Sequence, residues 1–111
     1  MYHYLPLTMS RAVLSWIVER LDHGERVALA SVIEARGSVP GKPGAKLAIS
    51  SMGEKFGTVG GAGLELKIER NLIEMLAIDK SKMRKTGGKI ETYILHKEGK
   101  GKEAVALDSL C

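Results

Sequence analysis

The stretch Gly57-Thr58-Val59-Gly60-Gly61-Ala62-Gly63-Leu64-Glu65 concentrates the residue types most able to hold a ligand, with four glycines among nine residues. It lies between a strand-like run ending near Phe56 and an apolar-periodic run beginning near Leu64. Glycine lacks a Cβ, so backbone there can take positive φ or approach a ligand closely. A glycine-rich turn feeding a helix N-terminus also leaves backbone N–H groups pointing outward, where a phosphate or other anion can be held. A tight, closely packed strand-to-helix turn would use the same glycines, and spacing alone does not separate the two. A second such stretch is Arg36-Gly37-Ser38-Val39-Pro40-Gly41-Lys42-Pro43-Gly44, with two prolines and three glycines. It must be a loop, because proline cannot donate to a ladder and glycine supplies unusual backbone angles. Its Arg36 and Lys42 are the charges for clamping a phosphate or carboxylate; an ordinary exposed loop is the other reading.

Established catalytic arrangements do not accompany these stretches. His3, His23 and His96 are far apart in sequence, without cysteine or carboxylate at metal-ligand spacing. Ser38 lacks a Gly-x-Ser-x-Gly frame. A dinucleotide fingerprint needs parallel strands in a βαβ unit and an acidic residue about 20 positions on. The glycines at 57, 60, 61 and 63 instead follow what reads as a hairpin, and no Gly-Lys-Ser/Thr makes a Walker A loop. Nothing in these residues identifies an enzyme, and they offer no catalytic and no metal-ligating set.

At 111 residues the chain suits one domain with one core. A hydrophobic share of 44% and a mean hydropathy of −0.04 are those of a globular chain. No apolar run approaches the roughly 20 residues of a membrane span. The single cysteine, Cys111, excludes an internal disulfide framework and agrees with a reducing, cytoplasmic setting. Net charge is +4, yet Asp79 to Lys102 alone holds eight basic and three acidic residues, a local +5. Such a segment attracts nucleic acid, an acidic partner or an anionic cofactor. With Tyr93 its only aromatic, it lacks the stacking platform of a single-strand binder, so a solvated basic loop is the better reading.

The elements that must position the two loops follow from periodicity. Ser10 reads as an N-cap, with Val13, Leu14, Ile17, Val18 and Leu21 at helical spacing and Gly24 as the stop. Trp16 falls beside that stripe, partly exposed or covering an edge. Val27 to Ala35 is nearly continuous in small and β-branched residues, the pattern of a central strand covered on both faces. Ala45 to Ser50 and Lys55 to Val59 form a hairpin around Ser51-Met52-Gly53-Glu54. Leu64, Ile68, Leu72, Met75 and Leu76 mark a second helix to about Asp79. Glu65 then sits in its first turn, where the dipole favours negative charge; the alternative is that Glu65 accepts hydrogen bonds from a ligand at the turn. Lys80 to Lys89 reads as a basic connector, Ile90 to Leu95 as a strand, His96 to Lys102 as a turn and Ala104 onward as a last strand. The expected fold is α/β of the mixed α+β kind: a small mixed β-sheet in a single domain, packed by two main helices at about 10–23 and 63–79.

Val-Ile-Glu-Ala-Arg-Gly-Ser-Val-Pro, continuing through Pro43-Gly44-Ala45-Lys46 to Gly57–Glu65, resembles the N-terminal domain of the xanthine dehydrogenase accessory (XdhC/CoxI) family. That domain has a Gly-Ser-x-Pro loop, a later Gly-Ala-Lys or Gly-Ala-Arg, a hairpin, and a Gly-x-x-Gly-Gly-Gly-x-x-Glu opening a helix. Gly37, Ser38, Pro40, Gly44, Ala45, Gly57, Gly60, Gly61 and Glu65 match in order and spacing. The resemblance covers essentially the whole chain. Two departures stand out: the family's third glycine is Ala62 here, and the next position, often cysteine in the family, is Gly63.

The resemblance implies a chaperone that binds molybdenum cofactor (molybdopterin), assists its sulfuration and inserts it into xanthine dehydrogenase-like hydroxylases. It implies a xanthine or carbon monoxide dehydrogenase-like hydroxylase and a sulfurase as partners, with no membrane and no nucleic acid. Arg36, Gly37, Ser38, Lys42, Gly44, Gly57, Gly60, Gly61, Gly63 and Glu65 are the candidate cofactor-binding residues. The competing readings are an NAD(P)-linked oxidoreductase fragment and a basic nucleic-acid-binding module. In the family the domain is followed by a Rossmann-like domain, so residues 1–111 are expected to be the N-terminal module alone. The strand from Ala104 is then expected to carry an open edge, paired by a second copy or by a separate C-terminal domain.

Overall fold

The computed structural model describes residues 5–37, 42–77, 88–95 and 101–110. The elements in chain order are α1 (Leu5–Asp22), β1 (Val27–Arg36), β2 (Lys46–Ser50), β3 (Lys55–Thr58), α2 (Ala62–Ala77), β4 (Gly88–Leu95) and β5 (Gly101–Leu110). The strands form one five-stranded sheet in the order β3-β2-β1-β5-β4. This is the α+β architecture that the periodicity suggests, with β1 central.

Alternation along β1 explains why the sheet carries a helix on each face. Ala28, Ala30 and Val32 join Leu47, Ile49, Val105 and Leu107 beneath α2, which contributes Leu64, Ile68, Leu72, Met75 and Leu76. Val27, with Ala48 of β2, faces Val13 and Ile17 of α1, and Leu29, Trp16, Leu21 and Leu110 pack around them. Each large apolar side chain buried this way contributes about 1.5–3 kcal/mol. Trp16 is half-buried and stacks on Phe56 of β3 with ring centroids 5.6 Å apart, covering that edge of the sheet. On the same side, Ile90 and Ile94 of β4 stand 63% and 57% exposed, because α1 lies over β1, β2 and β3.

Four expectations change. Every strand pairing is antiparallel, not mixed: β4 and β5 form a hairpin that places β5 beside β1. β5 therefore lies between β1 and β4 and both its edges are paired, so the open edge expected on the last strand does not exist. Helix α1 begins at Leu5, and Ser10 is inside it rather than at its cap. Pro6 is tolerated there, because its missing N–H costs nothing in a first helical turn. β5 begins at Gly101 and β4 at Gly88, so Gly101, Lys102, Gly88 and Lys89 belong to strands rather than to connecting turns. The connector residues 80–87 and the turn residues 96–100 lie outside the described residues.

Candidate functional site

The antiparallel register brings the two glycine-rich segments to one end of the sheet. Gly44 N–H donates to Val32 O (2.8 Å) and Val32 N–H to Ala45 O (2.9 Å), so the chain leaving β1 at Gly37 returns alongside it by Gly44. Lys46 pairs with Thr58, so the turn after β3 opens next to that returning limb. Helix α2 starts from the same turn at Ala62. Its first N–H groups have no intrahelical carbonyl to bond. Gly37 (φ 77°), Gly44 (φ 96°) and Gly60 (φ 111°) occupy the left-handed region that excludes most side chains.

Much of the glycine turn is satisfied from within. Thr58 Oγ1–H donates to Glu65 Oε1 (2.6 Å), and Val59 N–H donates to the same oxygen (3.2 Å). Gly60 N–H donates to Thr58 Oγ1 (3.1 Å), and Glu65 N–H closes the first helical turn on Gly61 O (2.9 Å). Glu65 thus ties the turn to the helix by hydrogen bonding, more specifically than a dipole pairing would. Gly57 (φ 92°) has a packing reason to be glycine: a Cβ there would meet Lys46 O and the Val13 side chain under α1. Gly63 is the opposite case, since a Cβ would meet nothing within 4 Å. The open ground at this end therefore lies over the first turn of α2.

Arg36 does not join it. Arg36 pairs with Lys102 across β1 and β5, on the face opposite Val105 and α2. There its Nε and Nη2 both lie 2.7 Å from Glu34 Oε2. It lines a polar hollow of about 330 Å³ with Glu34, Thr92, Lys102 and Ala104. Lys42 is exposed, and its carbonyl accepts from Ala45 N–H (3.0 Å), which fixes the end of the loop. Ser38 lies outside the described residues. Of the expected set, Lys42, Gly44, Gly60, Gly61, Gly63 and Glu65 lie by α2 or the limb beside it, Gly37 turns the chain out of β1, Gly57 is a packing residue and Arg36 points away.

Two residues were missed by sequence reasoning. Thr58 relays between Glu65 and Gly60, a role visible only once the turn is folded. Glu103 is fully buried on the α2 face, in register with Tyr93. Its signal was present: extending the alternation of Val105 and Leu107 back two residues puts Glu103 inward. Tyr93 Oη, one strand over, accepts from Asn71 Nδ2 of α2 at 2.6 Å, and burial pushes its pKa above the ordinary 10.0. Among the described residues no three His, Cys, Asp or Glu are placed to hold a metal ion. No helix among them is long and apolar enough to cross a membrane. Nor do any two neighbouring strands run parallel, so the βαβ context of a dinucleotide fingerprint is absent among them.

An antiparallel sheet with one helix per face, presenting two glycine-bounded segments beside a helix N-terminus, defines a small α+β module with backbone donors at one end. The chain belongs to the XdhC and CoxI family, whose model matches residues 20–88, from the last turn of α1 through both glycine-rich segments to the start of β4. A comparison with curated proteins gives no match. Membership supports an accessory role in the maturation of xanthine dehydrogenase- and carbon monoxide dehydrogenase-type enzymes, and implies association with enzymes of that type.

Proposed function

We propose that this chain is an accessory domain that binds molybdenum cofactor as cargo, assists its sulfuration and passes it to a xanthine or carbon monoxide dehydrogenase-type hydroxylase. The observation that carries this reading is the convergence, inside the family-matched residues, of both glycine-rich segments on the N-terminus of α2. A helix start with glycine on either side suits the phosphate of a pterin cofactor, because unbonded N–H groups and the helix dipole both favour an anion. The holders are the backbone N–H groups at Gly61 and Gly63, with Gly44 and the Lys42 ammonium from the neighbouring limb, while Gly60, whose N–H already bonds Thr58 Oγ1, shapes the turn. Glu65 acts one step behind, fixing the turn through Thr58 and Val59 rather than touching the phosphate. Arg36 contributes only by leaving Glu34 and is not in this set. No side chain stands at Gly63, so that position hands no sulfur to the cofactor.

Gly63→Leu tests the reading cleanly. The added side chain enters open space and raises helix propensity, so the fold should hold. Anaerobic titration with molybdopterin should show cofactor affinity down by about tenfold or more, with melting temperature unchanged in the ligand-free protein. Equal affinity in the two proteins would remove the α2 N-terminus from the site.

A further inference from the structure

At the other end of the sheet, a cleft of about 550 Å³ opens between the β2–β3 hairpin turn and the C-terminal half of α2. That volume is within the range of small-molecule sites. Its walls include Ile49, Ile73 and Leu76, and Ile73 is 55% exposed although it lines a concave surface. Arg26 lines the same cleft. Its backbone is locked to the hairpin: Arg26 N–H donates to Ser51 Oγ (2.9 Å), and Ser51 N–H donates to Arg26 O (2.8 Å). Among the described residues its guanidinium has no hydrogen-bond or ion-pair partner. Nε is buried without a hydrogen-bond partner, and no carboxylate among the described residues pairs with the side chain.

The neighbouring Arg20, whose Nε is likewise buried without a partner, differs in having its Nη groups engaged. Arg20 Nη1 reaches Glu25 Oε2 at 3.2 Å and Glu54 Oε1 at 3.4 Å, and Arg20 Cζ lies 5.9 Å from the Trp16 ring centroid. A half-buried guanidinium without an acceptor costs stability, because lost hydration is not replaced. The other charges of the cleft do not answer it: Lys55 Nζ and Glu69 Oε2 are 2.6 Å apart and satisfy each other.

We propose that this cleft is a second binding site, for a small organic carboxylate with an apolar body. The carboxylate meets the Arg26 guanidinium in planar, two-point fashion, and the apolar body covers Ile49, Ile73 and Leu76. One cation left over in a cleft whose Lys55 is already paired with Glu69 suits one negative charge better than a phosphate. The site stands at the opposite end of the sheet from the glycine-rich turn, so it holds or fails independently of cofactor binding.

Benzoate and its neutral counterpart benzamide are the probes, read by amide chemical shifts of the labelled protein. Benzoate should shift Ser51, Gly53, Ile73 and Ala77 saturably with a millimolar or tighter dissociation constant, and benzamide should bind about tenfold more weakly. Arg26→Gln should weaken benzoate by about tenfold and leave benzamide unchanged. Ile73→Glu, on an exposed wall that does not threaten the fold, should weaken benzoate comparably and serves if Arg26→Gln does not fold. Equal binding of the two probes, full benzoate affinity in either variant, or shifts confined to other surfaces would each overturn the proposal.

Discussion

Where β1 and β3 finish, Thr58, Val59 and Gly60 turn their donors onto Glu65 and onto one another, whereas where β1 begins the Arg26 guanidinium meets no acceptor among the described residues. The first end is rich in glycine and is largely self-satisfied, so what it offers a ligand is backbone at the start of α2. The second end has ordinary composition and leaves a charged side chain unanswered over an apolar cleft. Glycine content thus marks where backbone geometry is demanding, and an unmatched donor marks where a partner is missing. The two signals need not coincide.

Substitutions sharpen that contrast, and the largest effect belongs to Gly57. A side chain there takes an unfavourable φ and meets Lys46 O and Val13, so Gly57→Val should cost about 2–6 kcal/mol in urea unfolding. A loss below about 1 kcal/mol would mean that α1 does not press on β3 as described. Glu65→Ala should cost about 1–3 kcal/mol, because Thr58 and Val59 lose their acceptor. Glu65→Gln, which keeps an oxygen in place, should cost less. Unchanged stability in Glu65→Ala would return Glu65 to a ligand-contacting role.

The alkaline side of the pH profile probes the packing between the two ends. The Tyr93 pKa is raised, first by burial, so the folded state favours the neutral phenol. Its contribution is fully present below the ordinary value of 10.0 and is lost as pH rises through the raised value. Lys55, raised by its hydrogen bond to Glu69, acts in the same direction from 10.5 upward. Tyr93→Phe should make the decline above pH 10 shallower; an identical decline would show that Tyr93 is not buried against α2. The smallest effect is expected at Arg26: Arg26→Met should alter stability by no more than about 0.5 kcal/mol, or raise it slightly, while Arg20→Met destabilises. A loss above about 1 kcal/mol at Arg26 would reveal a structural partner and weaken the case for a ligand there.

Much of the fold was legible because local pattern and tertiary role agree. The near-continuous run Val27–Ala35 could only be a strand covered twice, and Leu64, Ile68 and Leu72 could only be one face of a helix. Strand order was not legible, since a hairpin that inserts β5 beside β1 leaves no local trace in composition. The start of α1 was hidden by Ser10, which reads as an N-cap, and that of β5 by Gly99 and Gly101, which read as turn residues. Glycine spacing marked one end of the sheet but not the difference between Gly57, fixed by packing, and Gly63, facing open space. Arg36 read as part of the clamp because sequence adjacency says nothing about which face a strand residue takes. Arg26 gave no signal at all, since its lack of an acceptor follows from how the hairpin and α2 pack.

We propose that cofactor sits at the glycine-rich end, at the N-terminus of α2. Anaerobic amide chemical-shift mapping with molybdopterin tests it most directly. Saturable shifts should concentrate at 42–44 and 58–65, with Arg26, Ser51 and Gly53 unmoved. Saturating molybdopterin that shifts nothing, or shifts only the hairpin end, would contradict the account.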